Sequence, residues 1–110
     1  LDTKEANKFD LKQSKGGIAD IEFIVQFLIL AHAATNAELT TFTDNVRQLE
    51  VLAQQGFMTQ LEADILKTAY CNYRDSGHKQ VLQGNKAVIN ESEVEGMKCQ
   101  VEAIWHEVFD

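Results

Sequence analysis

A chain of 110 residues, 45% hydrophobic and 25% charged, has room for one domain with its own core and none for a second catalytic domain. It contains no proline, so long helices can run uninterrupted, and its balance favours a folded helical protein over a disordered one. The net charge is −7, and Glu91, Glu93, Glu95, Glu102, Glu107 and Asp110 face a single base, Lys98, near the end; non-specific binding to nucleic acid or an anionic membrane, which needs a basic surface, is argued against.

Residues 1–17 read as a lead-in segment and residues 18–110 as a helical bundle. Leu1 to Ser14 is polar with little periodicity; a helical turn around Thr3 to Lys8 fits, and Phe9 and Leu11 are expected to anchor the segment on the core. No basic stretch precedes an apolar one, so a signal peptide is not expected, and a start at Leu1 reads as a piece of something longer, in the cytoplasm. Gly16 and Gly17 then open a helix from Ile18 to about Ala34 whose only polar residues between its first turn and Leu30 are Glu22 and Gln26. A helix that apolar is expected to sit at the centre, covered by its neighbours. It is too short and too polar to span a bilayer, which needs about 20 apolar residues.

A second helix is expected from an N-cap at Thr43, with Asp44 in its first turn, through Val46, Leu49 and Leu52 to a stop at Gly56. Phe57 and Met58 would plug the end of the bundle. Thr59-Gln60-Leu61-Glu62 is a capping box and starts a third helix, whose stripe of Leu61, Ile65, Ala69, Tyr73 and Val81 passes Gly77 and ends at Gly84. Glycine costs about 1 kcal/mol relative to alanine inside a helix, so Gly77 marks a kink or a close approach. Gly84 to Asn90 reads as the longest linker. Asn90 to Glu93 is a second capping box, and Val94, Met97, Val101, Ile104 or Trp105, and Val108 give an amphipathic last helix with its acids outside. The fold class is all-α, an up-and-down bundle of about four main helices.

Chemistry is hinted at only at the mouth of the first helix. Lys15-Gly16-Gly17 before a helix N-terminus can meet a phosphate with free backbone N–H groups, or can simply be a turn into a buried helix. Asp20 and Glu22, two residues apart, point to opposite sides and cannot chelate one ion together. With Gly17 as N-cap, Asp20 sits where a carboxylate caps free N–H groups. Glu22 lies deeper in an apolar helix with Gln26 one turn on; it is a candidate catalytic residue, or else a structural partner of Arg47, Arg74 or Lys79 within the bundle or of a group on another domain. His32, His78 and His106 fall on three different helices, and Cys71 and Cys99 form no C-x-x-C pair, so no metal site is expected and both thiols read as buried.

The stretch FDLKQSKGGIADIEFIVQFLIL, Phe9 to Leu30, resembles the segment that follows a nucleotidyltransferase domain in the glutamate–ammonia ligase (glutamine synthetase) adenylyltransferases. The likeness continues through TDNVRQLEVL, Thr43 to Leu52, through Tyr73-Arg74-Asp75 with His78, and into the helix of Trp105, covering essentially the whole chain. Members of that family carry two nucleotidyltransferase domains, each followed by a helical domain. Using ATP and magnesium, they attach AMP to a tyrosine of glutamine synthetase, and they also remove it, under the PII signalling protein and glutamine. Ala19 and the T-D-N-V-R segment look more like the C-terminal, adenylylating copy than the N-terminal one.

The resemblance places the G-S-x-x-D-x-D motif that holds the magnesium ions upstream of Leu1, so this piece is expected to bind no cofactor and to lack transferase activity by itself. It implies that Lys15, Gly16, Gly17, Asp20 and Glu22 lie near the seam with the catalytic domain, where they would line a nucleotide or substrate cleft. The expected partners are glutamine synthetase, PII and the upstream domain. The alternative is a free-standing helical interaction module whose acidic last helix docks a basic partner.

Overall fold

The computed structural model describes residues 7–110. Four helices make up most of it: α1 (Ile18–His32), α2 (Asn45–Gln54), α3 (Gln60–Leu82) and α4 (Glu95–Phe109). α1 touches each of the other three, α2 packs on α3, and α3 packs on α4. The bundle with a central first helix is therefore the fold expected from the sequence.

The lead-in segment is more than a lead-in. Lys8–Asp10 forms a strand, β1, and Val88–Asn90 forms β2; the two pair antiparallel with Phe9 opposite Ile89. Leu11 N–H continues the ladder to the Ala87 carbonyl at 3.0 Å, and Glu91 N–H reaches Asn7 O at 2.9 Å. Both Phe9 and Leu11 are fully buried, as the period-two geometry of a strand allows for residues two apart. The helical turn expected around Thr3 to Lys8 is thus corrected at Lys8, and its earlier part lies outside the described residues. The linker expected at Gly84 to Asn90 holds over its first four residues and is corrected at Val88–Asn90, which form β2. Three residues per strand are too few to announce themselves in a sequence, and such a ribbon holds only because it packs on helices. After β1, Asp10 organises the turn: its Oδ1 accepts the N–H groups of Lys12 and Gln13 at 2.9 and 3.1 Å.

Helix ends follow local chemistry closely. Thr59 and Glu62 form the reciprocal capping box, with Thr59 Oγ1 accepting Glu62 N–H at 3.0 Å and Glu62 Oε1 accepting Thr59 N–H at 2.9 Å. At α2 the cap is Asp44, one residue later than expected: its carboxylate accepts Arg47 N–H at 3.0 Å. The Asn90 turn opens a 3₁₀ turn, Glu91–Glu93, and the α-helix proper begins only at Glu95. A further 3₁₀ turn, Ala37–Thr40, buries Leu39 between α1 and α2. α3 runs unbroken through Gly77, where a Cβ would lie 3.8 Å from Leu11 Cδ1 and 3.9 Å from Ala87 Cβ. That is the close approach, not the kink.

Two expected faces are wrong in detail. α3 buries Ala63, Leu66, Ala69 and Tyr73, while Leu61 and Val81, assigned to its inner stripe, are exposed. The capping turn points Leu61 outward at the helix start, and beyond Gly77 the helix extends past the body that covers it. α1 buries Ile21, Ile24, Val25, Leu28 and Ile29, yet leaves Phe23, Phe27 and Leu30 in solvent. Full coverage of the first helix is therefore corrected to coverage of part of its circumference, because three neighbouring helices leave one face open. Cys99 is exposed and Cys71 half-buried, which corrects the expectation of two buried thiols.

Candidate functional site

The mouth of α1 is built by the turn after β1. The Gly17 N–H donates to Ser14 O at 2.9 Å, Ile18 N–H to Leu11 O at 2.8 Å and Ala19 N–H to Lys12 O at 2.9 Å. The Gly16 N–H donates to Asp20 Oδ2 at 2.8 Å. The groups that would cradle a phosphate therefore already have internal acceptors, so the residues present do not fit a nucleotide cradle. Both glycines are buried, and sterics explain their identity. A Cβ on Gly16, whose φ is +81°, would lie 2.9 Å from Lys98 O, and one on Gly17 would lie 2.8 Å from Leu11 O. Gly16 is where the loop comes up against the backbone and side-chain stem of Lys98 on α4.

Beside this mouth is a cleft of about 380 Å³ lined by Lys15, Asp20, Glu102, Trp105 and His106. Lys15 and Asp20 come from the mouth, and the other three project from one side of α4 at i, i+3 and i+4. Sequence reasoning put Ile104 or Trp105 on the apolar face of the last helix and found no site for His106; the spacing of Glu102, Trp105 and His106 was the available signal, but only the packing of α4 against the mouth turns it into a cleft. Lys98 lies 3.0 Å from Glu102 and 3.8 Å from Glu91. Its pKa is raised, chiefly by the hydrogen bond to Glu102. His106 Nδ1 and Asp110 Oδ2 are 2.6 Å apart.

Glu22 is exposed, not buried. Its Oε2 lies 3.5 Å from Asn45 Nδ2, and the same Asn45 amide donates to Tyr70 Oη at 3.3 Å. Among the described residues Glu22 is in no ion pair; Arg74 pairs loosely with Asp75 at 3.9 Å and lies over Tyr70, while Arg47 lies over Phe42. The structural-pair reading of Glu22 with Arg47, Arg74 or Lys79 is thereby corrected: α1 turns this face toward the start of α2, where Asn45 stands. One turn on, Gln26 Nε2 lies 3.4 Å from Gln48 Oε1, and the buried Gln48 donates to Phe42 O at 3.0 Å. Asp20 and Glu22 are held apart, as their spacing requires. Among the described residues no three His, Cys, Asp or Glu side chains are grouped to hold a metal ion.

Tyr73 carries the one buried side-chain polar atom left without a hydrogen bond among the described residues. Its ring packs against Phe9 at 5.4 Å, and its hydroxyl has no hydrogen-bond partner among the described residues. Burial first, and the Glu102 carboxylate second, push its pKa up from 10.0 to about 12. The folded state thus holds a proton that the unfolded chain releases above 10.0, so stability falls as pH rises between those values, by up to about 3 kcal/mol. Denaturant titrations across that range are expected to show this loss, with one phenol ionising only near 12 or on unfolding. Tyr73→Phe is expected to remove that alkaline loss and, by deleting an unpartnered hydroxyl, to leave neutral-pH stability unchanged or higher by about 1 kcal/mol. A steep neutral-pH destabilisation by Tyr73→Phe would show that the hydroxyl is satisfied after all.

The fold and the mouth define a helical-bundle domain with a cleft of charged side chains around Trp105 between the mouth of its first helix and its last helix. A family model described as GlnD PII-uridylyltransferase matches residues 2–87. The chain is similar to proteins named bifunctional glutamine synthetase adenylyltransferase/adenylyl-removing enzyme. That of Methylococcus capsulatus is 47% identical over 102 residues, 93% of this chain and 11% of its own length. Those of Mannheimia succiniciproducens and Nitrosococcus oceani are 39% and 40% identical over 94% and 96% of this chain, and 10% and 11% of their own lengths. The chain belongs to the GlnD PII-uridylyltransferase family, and the relatives it resembles there are glutamine synthetase adenylyltransferases. It spans about a tenth of their length. No helix among the described residues is long and apolar enough to cross a membrane.

Proposed function

We propose that this chain is the helical domain behind the adenylylating nucleotidyltransferase domain of a bifunctional glutamine synthetase adenylyltransferase. In this reading it is a scaffold and a surface for glutamine synthetase or for a regulator such as PII, in the cytoplasm. AMP passes from ATP to a tyrosine of glutamine synthetase on the preceding domain, which holds ATP and magnesium. The observation that carries the reading is identity of 37–47% to such enzymes across 93–96% of the chain. The internally bonded amides of Gly16, Gly17, Ile18 and Ala19 support placing the nucleotide outside this domain.

The test uses ATP labelled at the α-phosphate, magnesium and glutamine synthetase, with either the complete gene product or the 110-residue chain. Label on glutamine synthetase is expected with the first and not with the second. No transfer by the complete product would remove the enzyme reading, and transfer by the chain alone would place a catalytic centre in it. Glu22→Gln in the complete product separates the candidate's roles: because Glu22 is exposed and only loosely joined to Asn45, the fold should survive. Retained transfer would remove Glu22 from catalysis; a fall of about a hundredfold or more would put its carboxylate in the proton-transfer machinery.

A further inference from the structure

A cavity of about 120 Å³ lies where the turn after β1 and the start of α1 meet the second half of α3. Burial divides its lining in two. Leu11 and Tyr73 are fully buried and Ile18 and Ala87 half-buried, so the closed end is apolar. Lys12, Arg74 and His78 are exposed and supply the rim. Arg74 and His78 stand one turn apart on α3, and Lys12 comes from the turn after β1. No carboxylate among the described residues lines this cavity. The three bases are also largely unspent. Among the described residues Lys12 and His78 are in no ion pair. Arg74 has only the exposed Asp75 at 3.9 Å as a charged partner, besides a 3.9 Å contact to Cys71 Sγ and its place over Tyr70. A pair that long and exposed holds an arginine weakly. Asp10, the carboxylate of the neighbouring turn, is taken up by the N–H groups of Lys12 and Gln13. In a chain of net charge −7, a rim of three bases lined by no acid singles out an anion.

Gly77 adds an independent observation. It lines the cavity from within an unbroken helix, where glycine is less favourable than alanine. A Cβ there would lie 3.8 Å from Leu11 Cδ1 and 3.9 Å from Ala87 Cβ, touching both and displacing neither. Packing therefore tolerates a methyl group at this position, and its absence leaves the cavity open. A volume of about 120 Å³ is close to the roughly 150 Å³ of an apolar cavity that admits benzene, so the closed end takes an aliphatic tail of about four to six carbons. The rim selects a negative head group, and an arginine fork matches a carboxylate. We propose that this cavity is a binding site for a small monocarboxylate, with its aliphatic tail against Leu11, Ile18, Tyr73 and Ala87 and its carboxylate at Lys12, Arg74 and His78. A neutral apolar molecule would leave the bases unused, and a nucleotide is too large and too polar for the closed end. The site is separate from the mouth of α1 and does not depend on the assignment of AMP transfer.

The test is a saturation-transfer NMR titration of hexanoate with the complete gene product. Hexanoate is expected to bind saturably, its terminal methyl receiving more saturation than the methylene beside the carboxylate. Acetate, which lacks the tail, and hexanamide, which lacks the charge, are expected to bind at least about tenfold more weakly. Gly77→Ala puts a methyl group into the cavity without a clash, and is expected to weaken hexanoate several-fold while leaving the protein as stable or more so. Arg74→Gln is expected to weaken hexanoate about tenfold and to leave hexanamide unaffected. Lys12→Gln, at an exposed and unpaired side chain, should weaken hexanoate in the same direction and serves if Arg74→Gln disturbs the fold. The proposal is overturned if hexanoate shows no saturable binding, if acetate or hexanamide binds as tightly, if Gly77→Ala leaves the affinity unchanged, or if both charge variants do.

Discussion

Gly16→Ala is expected to lower the unfolding free energy by roughly 2–4 kcal/mol, the sum of placing a side chain in left-handed backbone and pressing it into a packed neighbour. The second part is what distinguishes this glycine. Its φ is +81°, and the new Cβ would stand 2.9 Å from both Lys98 O and Lys98 Cγ. The lysine side chain can swing away, but the carbonyl belongs to the first turns of α4 and moves only with the helix. Gly56 supplies the control, since its φ is +82° and a Cβ there meets nothing within 4 Å among the described residues. Gly56→Ala should therefore cost only the conformational part, about 1–2 kcal/mol. Urea unfolding of both variants reads the difference directly. Equal losses would mean that the loop and α4 separate freely, and that the cleft between Lys15 and Trp105 is not held by this contact.

Leu11→Ala is expected to cost about 2–5 kcal/mol, the range for a leucine truncated inside a packed core. Leu11 is fully buried between the β-ribbon and α3, its Cδ1 against the Gly77 position. The loss should equal that of Leu66→Ala on α3, which is equally buried. If Leu11→Ala instead behaves as a surface change, within about 0.5 kcal/mol of the parent, the segment before α1 is an appendage and not part of the domain. The measurement bears on function, because the same segment supplies the carbonyls of Leu11, Lys12 and Ser14 that occupy the amides at the mouth of α1. Loosening it would free those amides.

The helices were legible because their signals are local. Thr59 and Glu62 specify a start within four residues, Gly56 and Gly84 adopt the left-handed backbone that ends a helix, and the three-and-four spacing of Val94, Val101 and Ile104 names the buried side of α4. The β-ribbon was not legible, since β1 and β2 are three residues each and lie some 80 positions apart in the chain. The glycine pair was legible as a special place but not as to its purpose. Only the proximity of Lys98, Leu11 and Ser14 shows that it serves packing, with Asp20 taking the remaining amide.

Glu22 marks the limit of one-dimensional reasoning. Hydrophobic neighbours on both sides made it read as buried, yet burial depends on how many helices surround α1, and no residue of α1 encodes that number. Sequence by itself determined an acidic, proline-free, mainly helical domain, the principal helix boundaries to within a few residues, and the likeness to glutamine synthetase adenylyltransferases, because these rest on composition, short-range hydrogen bonding and motif spacing. The tertiary structure alone decided which side of α1 is covered, that Asn45 and not an arginine faces Glu22, and that Lys15, Asp20, Glu102, Trp105 and His106 share one cleft beside a bare aromatic layer, because each of these is a contact between elements distant in the chain.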